Sequence, residues 1–126
     1  MSLSECKISP AAAVSDIERA AEFYEGVLGF EPTESGDDMR VYPCGDGTAL
    51  FVYVSEHAGT NKATLAGFEV SDFDAMHTGL KQRGVEFERY DDQDGLDTND
   101  EGVFDAGDFK VAFFKDPDGN IFSING

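Results

Sequence analysis

Few residues in this chain combine the type and the spacing that chemistry needs. Of the two histidines, His57 lies in Ser55-Glu56-His57-Ala58-Gly59-Thr60-Asn61-Lys62, a polar stretch that reads as a solvated loop. His77 falls beside Phe73, Met76 and Leu80 at helical spacing, on the flank of an apolar stripe, a place for packing more than for proton transfer. Cys6 and Cys44 are the only thiols, and Cys44 has no histidine near it in sequence to act as its base. Both read as reduced structural thiols. Glu69 would serve as a general base if buried, although an exposed carboxylate is its ordinary state in so acidic a chain. Tyr53 would either hydrogen-bond a ligand or pack. The run Asp91, Asp92, Asp94, Asp97, Asp100, Glu101, Asp105 suggests calcium, but Gly95 stands fourth from Asp92 where a calcium loop of the EF-hand type needs its glycine sixth. That run reads as a solvated loop and a candidate lid, with Leu96, Val103 and Phe104 as side chains that need cover.

The elements that must position these residues belong to one domain, by a length of 126 residues and a composition 40% hydrophobic and 12% aromatic. No apolar run approaches the roughly 18 residues of a membrane span. Met1 to Pro10 lacks the apolar core of a signal peptide, so the expected location is the cytoplasm. Charge narrows the partners. With 26 acidic residues against 9 basic ones the net charge is -17, which should repel nucleic acid and anionic membranes. Such self-repulsion is nearly abolished where the Debye length shrinks to about 3 Å, at about 1 M salt. The acidity therefore reads as adaptation to a high-salt cytoplasm, as in halophilic archaea.

The chain carries a weak internal repeat. Val14-Ser15-Asp16-Ile17 opens one helix and Val70-Ser71-Asp72-Phe73 another, 56 residues later. Each helix is followed by Gly (Gly29, Gly84) and a short extended run. Each half then reaches a Gly turn, at Asp46-Gly47-Thr48 and at Asp118-Gly119-Asn120. The first helix is expected over about Ile17–Leu28, with Ser15 and Glu18 as a capping box, and the second over about Phe73–Arg83. Alternation predicts strands over Lys7–Val14, Phe30–Ser35, Met39–Pro43, Thr48–Val54, Ala63–Val70, Val85–Tyr90, Lys110–Lys115 and Ile121–Asn125. The expected order is β-α-β-β-β twice: module one over about 7–54, a linker over about 55–62, module two over about 63–126. The last hairpin is the best signalled. Between two apolar runs, Asp116-Pro117-Asp118-Gly119-Asn120 supplies Pro to preset φ, Gly for φ > 0, and Asp and Asn to bond the backbone.

The pattern Val-Ser-Asp-Ile-Glu-Arg-Ala…Phe-Tyr…Leu-Gly-Phe, closing with Phe-Phe-Lys-Asp-Pro-Asp-Gly-Asn, resembles the vicinal oxygen chelate superfamily of glyoxalases, bleomycin resistance proteins and extradiol dioxygenases. The resemblance covers nearly the whole chain. It implies an α+β fold of two tandem βαβββ modules whose mixed sheets curl into a cup with helices outside and ligand inside, and commonly a homodimer. Metal-dependent members of that superfamily place a His or Glu at each of four inward strand positions. Counting from Asp16, Asp72, Gly47 and Gly119 puts those positions at Ser9, Leu65, Phe51 and Ser123. None of these side chains is a ligand for zinc, nickel or iron, so no metal and no other cofactor is expected.

With that register, alternation sends Ile8, Ala12, Val14, Leu50, Val52, Val54, Ala66, Phe68, Val70, Phe122 and Ile124 towards the helices. The opposite face then carries the expected ligand-binding residues Ser9, Ala11, Val41, Phe51, Tyr53, Leu65, Gly67, Phe113 and Ser123, together with Ala13, Ala49 and Ile121, and with Glu69 nearer a rim. The resulting expectation is a metal-independent protein binding a small apolar or aromatic molecule, with no catalytic residue assigned. The alternatives are a metal-dependent glyoxalase-type lyase or dioxygenase with a non-standard site, and a dimeric scaffold without ligand.

Overall fold

Pro10 decides where the first strand begins. In the structure, a computed structural model that describes residues 1–91 and 97–126, β1 spans Ala11–Val14 rather than starting at Lys7. A proline has no N–H to give a ladder. The carbonyl of Pro10 still accepts from Phe51 N at 3.0 Å, but upstream of it Ser9 and Ile8 are exposed, Ile8 at 86%. The expected packing of Ile8 against a helix is thus corrected. Asp92 to Leu96, part of the candidate lid, lie outside the described residues.

The chain forms two units, Met1–Thr60 and Asn61–Gly126. In the first, β1 is followed by α1 (Ile17–Ala21), β2 (Glu34–Ser35), β3 (Met39–Pro43) and β4 (Ala49–Val54), in the sheet order β1-β4-β3-β2. β1 runs parallel to β4, and the other pairs are antiparallel. Asp16, not Ser15, caps α1: its Oδ1 accepts from Glu18 N at 2.9 Å and Arg19 N at 3.2 Å. The helix does not stay α to Leu28. Glu22–Val27 is π-helical, with Leu28 N donating to Phe23 O at 3.0 Å, because apolar spacing over two turns does not tell an i→i+4 ladder from an i→i+5 one. Gly29 ends it at φ 83. Ala12, Val14, Leu50, Val52 and Tyr42 form the core with Ile17, Ala20 and Tyr24, all 6% exposed or less.

The second unit repeats the plan with β5 (Thr64–Glu69), α2 (Phe73–Gln82), β6 (Val103–Asp105), β7 (Lys110–Lys115) and β8 (Ile121–Asn125), in the order β5-β8-β7-β6. Asp72 caps α2 through Ala75 N at 3.1 Å, and Gly84 follows it at φ 99. The predicted strand Val85–Tyr90 is reduced to a bridge between Phe87 and Phe114 and a bond from Glu88 N to Phe113 O. The first half of β7 is already paired, Val103–Asp105 lying against Lys110–Ala112, so only its far end is open to Phe87. The strand expected before the acidic run therefore lies within it. Ala112, Phe114, Phe122 and Ile124 pack with Phe73, Leu80 and Val85 as this unit's core.

Candidate functional site

Alternation leaves one face of each sheet without a helix, and the register aligns the predicted site residues there in rows. In the first unit Ala11, Phe51 and Val41 stand side by side on β1, β4 and β3, and Ala13, Tyr53 and Met39 form the next row. Phe51 and Tyr53 stack, with ring centroids 5.5 Å apart and planes 16° apart. Their neighbours on β1 are alanines, too small to cover the rings, and all four side chains are only partly buried or exposed. In the second unit Gly67, Ser123 and Phe113 occupy the equivalent row on β5, β8 and β7. Phe113 meets Tyr90 edge to face at 5.5 Å. Seven of the nine predicted ligand-binding residues thus lie in these rows.

Ser9 and Leu65 do not. Ser9 precedes β1 and is exposed. Leu65 sits at an irregularity between Thr64 and Ala66, where β5 carries one residue more than β8 opposite it. Nothing in the alternation of Thr64 to Glu69 announces that bulge.

Two residues that the sequence left aside belong to the same face of the second unit. Lys115, two residues after Phe113 on β7, pairs with Glu88 at 3.2 Å. Burial pushes the Tyr90 phenol above its ordinary range, and the Glu88 carboxylate adds to the shift. A signal for Tyr90 existed in the apolar-polar alternation of Val85–Tyr90, which places Glu88 and Tyr90 opposite Phe87, and one for Lys115 in the alternation of Lys110–Lys115.

The other candidates resolve into structure. His77 is 7% exposed, stacked 4.3 Å from Phe87 and 5.8 Å from Phe73, with Nε2 3.0 Å from the Glu101 carbonyl. Lys81 bonds Glu101 and holds that carboxyl below its usual range. Cys44 donates to Tyr42 O at 3.6 Å, and burial pushes its thiol up. Tyr42 is fully buried and donates to Glu25 Oε2 at 2.9 Å, while Arg40 lies 3.7 Å from the same oxygen. Burial first, then that carboxylate, raise the Tyr42 phenol far above its ordinary range. Tyr42 and Arg40 thereby fasten β3 to the helix that carries Glu25. His57 and Glu69 are exposed. Among the described residues no three His, Cys, Asp or Glu side chains gather as a metal site, and no helix is long and apolar enough to cross a membrane.

Comparison with known proteins follows the same lines. Residues 8–124 match the family model described as Glyoxalase/Bleomycin resistance protein/Dioxygenase superfamily. No curated protein sequence matches the chain significantly. Among solved structures, a glyoxalase / bleomycin resistance protein from Catenulispora acidiphila is 26% identical with a TM-score of 0.67, covering 96% of that protein and 94% of this chain. The bleomycin-binding protein of Streptomyces verticillus, solved with copper(II)-bleomycin, is 23% identical with a TM-score of 0.67, over 94% of this chain and 93% of that one. TnmS3, an antibiotic-binding protein from a Streptomyces species, is 27% identical with a TM-score of 0.62 over the same shares.

Proposed function

Because the chain belongs to the glyoxalase/bleomycin resistance protein/dioxygenase superfamily, we propose that it binds a small apolar or aromatic molecule on the helix-free faces of its sheets, without a metal ion. The observation that carries this reading is the chemistry of the two rows. Ala11, Phe51 and Val41 in one unit, and Gly67, Ser123 and Phe113 in the other, offer aromatic rings, small side chains and a hydroxyl. None is an imidazole, carboxylate or thiolate, the donors a divalent transition metal requires. The stacked pair Phe51–Tyr53 presents a flat surface beside two alanines. Ring-on-ring contact there is worth about 0.5–1.5 kcal/mol beyond the area it buries. Similarity to a bleomycin-binding and an antibiotic-binding protein supports the binding of a small molecule. In this reading the protein sequesters a compound or presents it to a partner, as a homodimer in a high-salt cytoplasm.

Two measurements test it. Elemental analysis of protein purified without chelators is expected to find no stoichiometric transition metal. Zinc or nickel at one per chain would replace this reading with a metal-dependent enzyme. A thermal-shift screen of polycyclic aromatics and aromatic antibiotics in molar KCl is expected to give hits, and these should weaken in Phe51→Ala and Phe113→Ala. A screen with no hits overturns the binding reading.

A further inference from the structure

The two units meet the same fold demands in the same register, yet their helix-free faces differ. Ala11 lies beside Phe51 in the first; its counterpart Gly67 lies beside Ser123 in the second. Gly67 is not there for its backbone, since it is absent from the positive-φ residues. Glycine inside a strand weakens it and marks a close approach by something else. A Cβ at Gly67 would stand 2.7 Å from Ser123 Oγ and 3.2 Å from Asn125 Oδ1. Two polar side chains of β8 therefore lean over the space a side chain at 67 would fill. Ser123 is 7% exposed. Among the described residues its hydroxyl makes no hydrogen bond, and every fully buried side-chain N or O there has a partner, so this hydroxyl keeps an opening to the outside. A nearly buried hydroxyl that is open to the outside and has no protein partner can bond a ligand atom without breaking another bond.

Resting on the binding reading above, we propose that Gly67, Ser123 and Asn125 form a polar notch that seats the hydroxyl of a hydroxyaromatic ligand whose ring lies on Phe113. The chemistry is complementary at both ends. A phenolic O–H donates to the Asn125 amide oxygen and accepts from the Ser123 hydroxyl, whereas an apolar substituent strands both. The dimensions also fit. Phe113, Ser123 and Gly67 lie on three neighbouring strands, so the row spans about 10 Å, the reach of a two-ring aromatic with one substituent. The first unit has no equivalent notch, because Phe51 stands where Ser123 does. The notch thus fixes the orientation of the ligand and its class.

The test uses a matched pair, 2-naphthol and 2-methylnaphthalene, titrated calorimetrically into the full chain in molar KCl. Without a polar partner a hydroxyl costs affinity, so the methyl compound would bind better. With the notch, 2-naphthol is expected to bind about 10-fold tighter, the worth of one to two net hydrogen bonds. Ser123→Ala and Asn125→Ala should each erase or reverse that preference by weakening 2-naphthol, and any change for 2-methylnaphthalene should be a gain, since its methyl end then strands one polar group fewer. Circular dichroism melting checks that both variants fold. Equal or weaker binding of 2-naphthol by the natural protein overturns the notch and leaves the apolar binding reading standing, as does a preference that survives in both variants. If neither compound binds and the wider aromatic screen also fails, the binding reading falls and the notch with it.

Discussion

Replacing Asp116 by alanine should be among the most damaging single changes in this chain, though the residue touches no candidate ligand position. Asp116 is 5% exposed and opens the turn between β7 and β8. Its Oδ1 accepts from Asp118 N at 3.0 Å and Asn120 N at 2.8 Å, and its Oδ2 accepts from Asn120 Nδ2 at 2.8 Å. Alanine takes the carboxylate acceptor from three donors. The Asp118 amide, half-buried, can turn to water, but Asn120 is 3% exposed and its two donors cannot. At about 1–3 kcal/mol for each buried donor left unpaired, the cost is about 3–5 kcal/mol, a large part of an ordinary domain's stability. For a chain of this length that corresponds to a fall in melting temperature of about 10–20 °C. Losing one negative charge from a chain at -17 works the other way, but at molar salt by less than about 1 kcal/mol. Differential scanning calorimetry in molar KCl reads the result. Asp116→Asn separates geometry from charge. It keeps an oxygen for the two backbone amides but sets its NH2 against that of Asn120, so it should melt between the natural protein and the alanine variant. An alanine variant melting within about 3 °C of the natural protein would refute the hydrogen-bond accounting. An asparagine variant as damaged as alanine would show that the charge, not the turn geometry, is what matters.

Three further outcomes are expected. The melting temperature should rise markedly between dilute buffer and molar KCl, because screening relaxes the self-repulsion of the -17 chain; equal values would sink the high-salt reading. Lys81 holds Glu101 below the usual carboxylate range. The stabilisation from that pair is therefore full above the unfolded carboxyl's pKa and is lost as pH falls through the folded one, so the melting curves of Lys81→Met and the natural protein should converge in acid. NMR titration should also show the Glu101 carboxyl moving up in that variant. Iodoacetamide followed by mass spectrometry should label exposed Cys6 well before Cys44, whose thiol is partly buried and shifted up, and faster labelling at Cys44 would contradict that burial.

Most of the fold was legible because its signals are local. The helix starts after Ser15-Asp16 and Ser71-Asp72, the helix stops at Gly29 and Gly84, and the turn at Asp116–Asn120 each follow from the chemistry of a few adjacent residues, although the cap of α1 is Asp16 and not Ser15. What escaped was set by competition between distant segments. Val85–Tyr90 alternates as well as any strand in the chain, yet Val103–Asp105, three residues inside an acidic run, takes the first half of the edge of β7. A segment that short has no periodicity to detect, and its pairing depends on what else reaches the same edge. The bulge at Leu65 is of the same kind, since it exists only in the register between β5 and β8. The site shows the same division. Alternation placed Ala11, Val41, Phe51, Tyr53, Gly67, Phe113 and Ser123 in the rows of the helix-free faces, whereas Ser9 and Leu65, which depended on a strand end and on register, fall outside them.

The internal repeat turns that division into an argument about function. The faces under α1 and α2 must be apolar whatever the protein does, and they are: Ala12, Val14, Leu50 and Val52 in one unit, Ala112, Phe114, Phe122 and Ile124 in the other. Their sameness says nothing beyond the fold. The helix-free faces share the register but not that obligation. There the halves diverge, Ala11–Phe51–Val41 against Gly67–Ser123–Phe113. Two copies of one architecture under one set of packing demands should converge where only packing matters. A glycine that weakens its strand, beside an unpartnered hydroxyl that a methyl group could replace at no packing cost, is a choice that packing alone does not make. In the proposed reading, the difference between the rows is where a ligand's demands enter. In the proposed reading, the polar notch of the second unit decides which aromatic molecule that unit keeps.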